Sequence, residues 1–587
     1  LYSLLHLTGY DLPLDALRNF RQWESATPGH PEFGDTPGVE CTTGPLGQGL
    51  AMAVGMALGE ARLRHEFGAD RIDHRVYVIA GDGCMMEGLS SEAASLAGHL
   101  GLDRLVVLYD DNRITIDGST DLAFTENVGA RFQAYGWHVS EVDGHDRAAV
   151  GDAIEAANGV EGRPSLICCK TTIGKFSPNL AGSQKTHGAP LGEAEVALTK
   201  QAMDLDPTQH FHIPAEVYGR LRERNPELRA MNERWRSGMN DPAGKRLLER
   251  LQPDLNQVIG NVQWPKQPVG ASLATRKGSH KTIQAIAKEL PGLIGGSADL
   301  EGSNGTRIID SAHIQAGELD GRNIHFGVRE HAMAAIANGL ALHGGHLPFV
   351  GTFLVFHDYM RPAVRLSALM GQQVIYVYTH DSVFLGEDGP THQPVETLEA
   401  LRGVPNLVTI RPCDLAEVSA AWQVALMRTG GPTALCLTRQ SVPELARDEG
   451  VTVTSGVARG AYIIQEAGTP LKLVLIATGS EVHVAVAARA TLESQGIGTR
   501  VVSMPSCEFF DAQTREYQRQ LLPAGAAKLS IEAGITKGWA RYVDRDGASI
   551  GIDRFGASAP ASVLANKFGL NAEHVVEVAH KLLGDEL

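Results

Sequence analysis

Short apolar runs alternate with longer stretches of small residues along most of the chain. RVYVIA reaches Gly81 and is followed by SEAASLAGHLG with helical character, and RLVVLYDDN and SLICCKT repeat the strand pattern. Runs of this length suit parallel strands covered on both faces. Their alternation with helices predicts open α/β sheets. The pattern restarts near Ala271 with LIGGSADL, RNIHFGVREHAMAAIANGLAL, QVIYVYTHD and PTALCLTR. It restarts again near Gly456 with LKLVLIATGSEVHVAVAARATLESQG, RVVSMPS, AAKLSIEAG and IGIDRFG. In the third region Ser480 is expected to cap the following helix. Pro214 to Pro268 is charged and proline-containing and reads as a crossing linker with short helices. The expected fold is α/β, with three domains built on mostly parallel central sheets. The boundaries fall at 1–205, a linker 206–268, 269–441 and 455–587. No short tandem period predicts a solenoid or propeller.

Composition narrows the class. A chain of 587 residues calls for several domains. With 43% hydrophobic and 20% charged residues it is neither disordered nor fibrous. A net charge of −16 speaks against bulk nucleic-acid binding, while leaving room for a local basic pocket that holds a phosphorylated metabolite. Seven cysteines, an odd count without a Cys-x-x-Cys pair, predict buried free thiols in a reducing compartment. No apolar run has the length of a membrane span. LYSLLHLTGYDLP is neither a basic leader nor a signal peptide. It reads as the end of a core helix, and further residues are expected upstream of Leu1.

Gly81-Asp82-Gly83 stands where a strand ends and a helix begins, the place where open α/β sheets bind ligands. The two glycines permit close approach of a diphosphate, and Asp82 can offer a carboxylate oxygen to a hard divalent cation. Asn112 closes the next strand, so the two strand ends bring an acid and an amide oxygen side by side. The Ile114 carbonyl, phosphate oxygens and water would complete a six-oxygen shell. The alternative is that Asp82 caps a helix and Asn112 makes a turn. Gly44-Pro45-Leu46-Gly47-Gln48-Gly49 is neither a Walker loop nor a dinucleotide fingerprint. It either brings backbone against a ring or simply starts a helix.

Phe353, Phe356 and Tyr359 recur every three residues and predict aromatics along one side of a helical turn, either as core or as a ring-binding pocket. Glu330 opens a small, apolar helical stretch. Buried near rings, its carboxyl would have a raised pKa and could exchange a proton with a ring nitrogen. Otherwise it is an exposed first-turn acid. His187 lies in a Gly/Pro-rich loop, and His380, Asp388 and His392 share one polar loop shaped by Gly386, Gly389 and Pro390. Arg276, Ser303 and Arg439 could grip a phosphate, or form surface ion pairs and caps.

The motifs Pro28-Gly29-His30, TTGPLGQG, GDGCMMEG with Asn112, THGAP, GGSADL, GVREH, TFLVF with Tyr359, YTHDS, GEDGPTHQP and LTRQ occur in one order over nearly the whole chain. In this the sequence closely resembles the transketolase family. The resemblance implies a thiamine-diphosphate-binding fold with a smaller C-terminal α/β domain. It also implies a cytoplasmic homodimer with active sites at the subunit interface. The implied reaction moves a two-carbon ketol unit between sugar phosphates, from xylulose 5-phosphate, for example, to ribose 5-phosphate or erythrose 4-phosphate.

By the same resemblance, Asp82, Asn112 and Ile114 hold one divalent cation, Mg²⁺ or Ca²⁺. Gly44, Leu46, Gly81, Gly83 and His187 belong to the cofactor side, as does Asp299 at the interface. Glu330 hydrogen-bonds the aminopyrimidine in a pocket of Phe353, Phe356 and Tyr359. Glu330, His392 and His30 are the implied catalytic residues. His30, His187, Arg276, Ser303, His380, Asp388, His392 and Arg439 contact substrate, with Arg276, Ser303, His380 and Arg439 toward its phosphate. A further histidine of the family, in a Gly-His motif, falls upstream of Leu1. The rival readings are a thiamine-dependent synthase using pyruvate, a formaldehyde-accepting ketol transferase, and a non-catalytic scaffold.

Overall fold

The computed structural model describes residues 1–584, which form two compact units. The first comprises Leu1–Gln252, His313–Gly321 and Ala335–His346. Its centre is a four-stranded, wholly parallel sheet in the order Val76–Gly81, Leu105–Asp111, Ser165–Lys170, His138–Asp143. The expectation of strands covered on both faces fails at the first of these. Val76–Gly81 is an edge strand whose Tyr77 and Ile79 are 49% and 81% exposed.

The 20-residue helix Gln48–Phe67 is almost entirely buried and holds this unit together. It is rich in Gly and Ala, which allows close packing. A Cβ on Gly55 would lie 2.1 Å from the Ile336 carbonyl oxygen, and one on Gly339 1.9 Å from that of Met52. Gly339→Ala is therefore expected to cost about 1–3 kcal/mol of stability through overpacking. Chemical denaturation measures this directly, and an unchanged midpoint would contradict it. The helices Asn225–Gly238 and Pro242–Leu251, in the predicted linker, lead Trp235, Met239 and Leu247 onto Leu63, Phe67 and Ile72.

The second unit comprises Pro253–Ala312, Arg322–Ala334 and Leu347–Leu587, described to residue 584. It holds two larger sheets. One is six-stranded and parallel, in the order Val408–Ile410, Thr433–Leu437, Ile375–Thr379, Leu347–Phe353, Leu293–Ser297, Asn323–His325. Ile283, Phe349, Val377 and Trp422 lie in its core, where the Trp422 indole donates to Ser279 Oγ at 2.9 Å. The other runs Tyr462–Gln465, Gly498–Ser503, Leu471–Ala477, Ala527–Ile531, Ala548–Ile550, with only the first strand antiparallel. The molecule is thus α/β with mostly parallel sheets. No described helix is long and apolar enough to cross a membrane, and all seven cysteines are free.

A buried charge network ties the Ile375–Thr379 strand end to the smaller sheet. Arg411 is fully buried and donates to Asp381 at 2.8 Å, to the Thr478 carbonyl at 2.9 Å and to Glu481. Glu481 also accepts from the Ala533 N–H at 2.8 Å. Gly479 is left-handed, and a Cβ there would meet the Arg411 guanidinium at 2.7 Å. Ser480 precedes helix Glu481–Ser494 as expected, but its hydroxyl does not cap it. The hydroxyl donates to Glu481 at 2.5 Å, because the buried carboxylate needs every available donor.

Candidate active site

The first cluster forms at the carboxyl ends of the four-stranded sheet. Parallel register pairs Gly81 with Asp110, which brings Asp82 beside the end of the neighbouring strand. Asp82 is buried. One of its oxygens accepts from the Tyr109 hydroxyl at 2.6 Å and the other from the Arg113 N–H at 3.0 Å. Burial pushes its pKa up, opposed by the Tyr109 bond and reinforced by the Asp111 charge.

Asn112 turns Oδ1 to the Ile114 N–H at 3.0 Å and donates through Nδ2 to Asp110 at 3.1 Å. Arg113, between them, is left-handed at φ 60°. No cation pairs with Asp82 among the described residues, since the Arg113 side chain is taken by Asp121. Each acceptor oxygen keeps a further lone pair. A buried acid without a countercharge, beside an amide oxygen, fits a hard dication.

Next to this corner, Gly44 lies against the His30 ring, where a Cβ would come within 3.1 Å of Cγ. Gly44 has φ 137°, open to glycine, so the loop can pass that close. Gly83 meets Leu46 in the same way, at 2.8 Å, while Leu46 remains 52% exposed. The loop starts helix Gln48–Phe67, as one of the two sequence readings has it, and also leaves the Leu46 side chain exposed beside Gly83. His187 ends a 3₁₀ turn, Gln184–Thr186, and is exposed; its hydrogen bonds do not link it to Asp82 or His30.

The second cluster belongs to the six-stranded sheet. The three aromatics do not share one helix face as their spacing predicted. Phe353 ends a strand, Phe356 ends the 3₁₀ turn Leu354–Phe356, and Tyr359 lies in helix His357–Leu369. They meet nonetheless, with Phe353–Phe356 and Phe356–Tyr359 centroids 6.1 and 5.9 Å apart. His380 packs on Phe353 at 3.7 Å and His392 on Phe356 at 5.3 Å. Tyr359 is 65% exposed, which leaves an aromatic face open.

His380 is buried and left-handed at φ 59°, and Asp299, two residues past strand Leu293–Ser297, is left-handed at 60°. Such strain in non-glycine residues concentrates at functional sites. Burial, then the charges of Arg276, Arg439 and His392, push the His380 pKa down to about 3. Its Nδ1 meets Thr379 Oγ1 at 2.9 Å, and that hydroxyl donates to Asn304 at 2.9 Å. Arg276 donates to the Ser303 carbonyl at 2.5 Å. Thus His380, His392, Arg276, Arg439, Phe353 and Phe356 converge, and Ser303 joins through Arg276.

Asp388 is exposed in the same loop, which Gln393 pins by donating to the Gly386 and Ala557 carbonyls at 3.1 and 2.9 Å. Glu330 is the first residue of helix Glu330–His343, half-buried, with its pKa raised by burial. Sequence reasoning missed Tyr109, Asn304, Gln393 and Arg411. Only Tyr109 carried a hint, as a polar-tipped residue three positions before Asn112.

Comparisons with known proteins identify the family. Three family models match: the transketolase thiamine diphosphate binding domain over residues 1–252, the transketolase pyrimidine binding domain over 271–444, and the transketolase-like C-terminal domain over 460–571. The transketolase of Geobacillus stearothermophilus is 50% identical, across 100% of this chain and 89% of its own length. Transketolase 1 of Escherichia coli is 47% identical, across 99% and 89%. The solved transketolase of Leishmania mexicana superposes with a TM-score of 0.94 at 44% identity, covering 99% of this chain and 87% of that one. A Pichia stipitis transketolase solved with sedoheptulose 7-phosphate gives 0.94 at 42%, with the same coverage.

Fold and matches together define a thiamine-diphosphate-dependent α/β enzyme. Within that class the chain belongs to the transketolase family, whose members transfer ketol units between ketose and aldose phosphates.

Proposed function

We propose that Asp82, Asn112 and the Ile114 carbonyl hold the divalent cation, Mg²⁺ or Ca²⁺, and through it the diphosphate of thiamine diphosphate. The oxygen-only donor set and the uncompensated charge of buried Asp82 support this. Gly44, Leu46, Gly81, Gly83 and His187 line the diphosphate and thiazolium side. Glu330 faces the aminopyrimidine, with Phe353, Phe356 and Tyr359 against its ring and Asp299 close by. When bound, the cofactor supplies an acidic ring carbon that takes up the two-carbon unit. Glu330 holds a proton at the pyrimidine nitrogen. His392 and His30 serve the hydroxyl and oxyanion of the substrate, and Asp388 reads a hydroxyl. Arg276, Ser303, His380 and Arg439 hold the far phosphate.

The roles by region are diphosphate binding for 1–205, a connecting segment 206–268, pyrimidine binding for 269–441, and the C-terminal domain for 455–587. Each active site combines two copies of the chain in a homodimer. Exposed apolar side chains beside both clusters support this, Leu46, Ile116 and Leu122 by the first and Val328 and Tyr359 by the second. Seven free thiols suit a cytoplasmic enzyme.

The observation that carries the substrate reading is the convergence of His380 and His392 on Phe353 and Phe356, with two arginines close enough to depress His380. Given xylulose 5-phosphate and ribose 5-phosphate, the enzyme is expected to form a seven-carbon ketose phosphate and glyceraldehyde 3-phosphate. Formation should depend on thiamine diphosphate and a divalent cation. CO₂ release from pyruvate without that product, or turnover with formaldehyde alone, would point to the rival activities. Asp82→Asn should weaken cofactor binding by more than about tenfold, read as lost thermal stabilisation by thiamine diphosphate and Mg²⁺. Unaltered stabilisation would remove Asp82 from the cation site.

A further inference from the structure

A cavity of about 330 Å³ opens beside Arg276 and Ser303, walled also by Lys277, His280, Glu301 and Arg307. Three permanent cations face one acid there, and Glu301 lies 3.9 Å from His325. Lys277 and Arg307 are exposed and form no ion pair with any described acidic side chain. Arg276 keeps a buried Nε–H without a partner, beyond the bond its Nη1 makes to Ser303.

Local electrostatics point the same way. Arg276 and Lys277 stand in the first turn of helix Thr275–Glu289, which has no side-chain cap and no acid in that turn. Cations at a helix N-terminus oppose the positive end of the dipole. Although the Thr275 N–H is taken up by the Thr438 hydroxyl, these two cations beside Arg307 leave a concentrated positive field that an anion relieves.

We propose that this cavity is a second phosphate subsite, adjoining the one at Arg276 and Ser303, and that it takes the outer phosphoryl group of an aldose bearing a diphosphate ester at its far end. The inference rests on the reading above that Arg276 and Ser303 hold the acceptor phosphate. Lys277 and Arg307 supply the charge for the outer group, and the exposed side of the cavity lets any further substituent leave toward solvent.

ADP-ribose, which has a free anomeric carbon and a diphosphate at C5, is a suitable probe. Formation of the seven-carbon ketose phosphate from ribose 5-phosphate is followed in the holoenzyme at rising ADP-ribose concentration. Competitive inhibition is expected, with an inhibition constant no higher than the KM for ribose 5-phosphate. In the Lys277→Ala/Arg307→Ala double variant that constant should rise about tenfold or more, while the KM for ribose 5-phosphate stays within about twofold of the unaltered enzyme's. Absence of inhibition, or equal inhibition of both enzymes, overturns the second subsite and leaves the ketol-transfer reading standing. An enzyme that does not turn over ribose 5-phosphate at all overturns both.

Discussion

Replacing Glu330 by Gln is expected to lower kcat by at least about a hundredfold, within the range for a lost general acid–base group, while the protein still folds. The geometry separates the two effects. Burial raises the Glu330 pKa from the usual 4.5, so the ionised carboxylate is penalised in the folded state. A raised folded value means that this group's contribution to stability is present below the unfolded pKa and is lost as pH climbs through the folded one. Gln carries no such penalty. The cofactor-free variant should therefore melt at the same temperature as the unaltered enzyme, or higher, at pH 7, and its melting temperature should lack that step on the acid side. Near-normal turnover in a correctly assembled Glu330→Gln enzyme would remove Glu330 from proton transfer. A collapse of stability at pH 7 would show instead that the carboxylate is structural.

The largest stability effect is expected at Arg411. Truncation to Ala leaves Asp381 and Glu481, both buried, without their countercharge. Breaking a buried pair from one side costs about 3–5 kcal/mol, because the stranded charge loses its partner and gains no water. Denaturation in urea measures this. Adding Asp381→Asn and Glu481→Gln to Arg411→Met should recover part of the loss, since no buried charge then remains unmatched. A single Arg411→Ala variant with an unchanged midpoint would mean that water reaches the pair.

Part of this architecture could be read directly from the residues. The strand-ending glycines around Asp82, the apolar runs RLVVLY and SLICC, and the small-residue helix after Glu330 all follow from local rules about turns, burial and propensity. The aromatic triplet shows where such rules stop. A spacing of three implied one helical face, whereas the chain passes from strand through 3₁₀ turn to helix across those seven residues. The strand His138–Asp143, with the sequence HVSEVD, carries too little apolar character to stand out, and Tyr462–Gln465 is only four residues long. Partners fixed only by tertiary folding left no local trace. Tyr109 reaches Asp82 across 27 positions, Thr379 reaches Asn304 across 75, and Arg411 reaches Glu481 across 70. The motifs singled out His380, His392, Arg276 and Arg439, but not the Thr379 hydroxyl and Asn304 amide that hold His380 in place.

Asp381 follows His380 directly in the chain. The clamp that Arg411 closes on Asp381 and Glu481 therefore anchors the chain at the very residue next to the one packed on Phe353. Loosening that anchor from the far side, at Glu481 or Ala533, should shift His380 and, on the reading proposed above, be felt as poorer sugar-phosphate affinity. Through Arg411 and Glu481, a substitution in the C-terminal sheet can thus tug on the backbone beside His380.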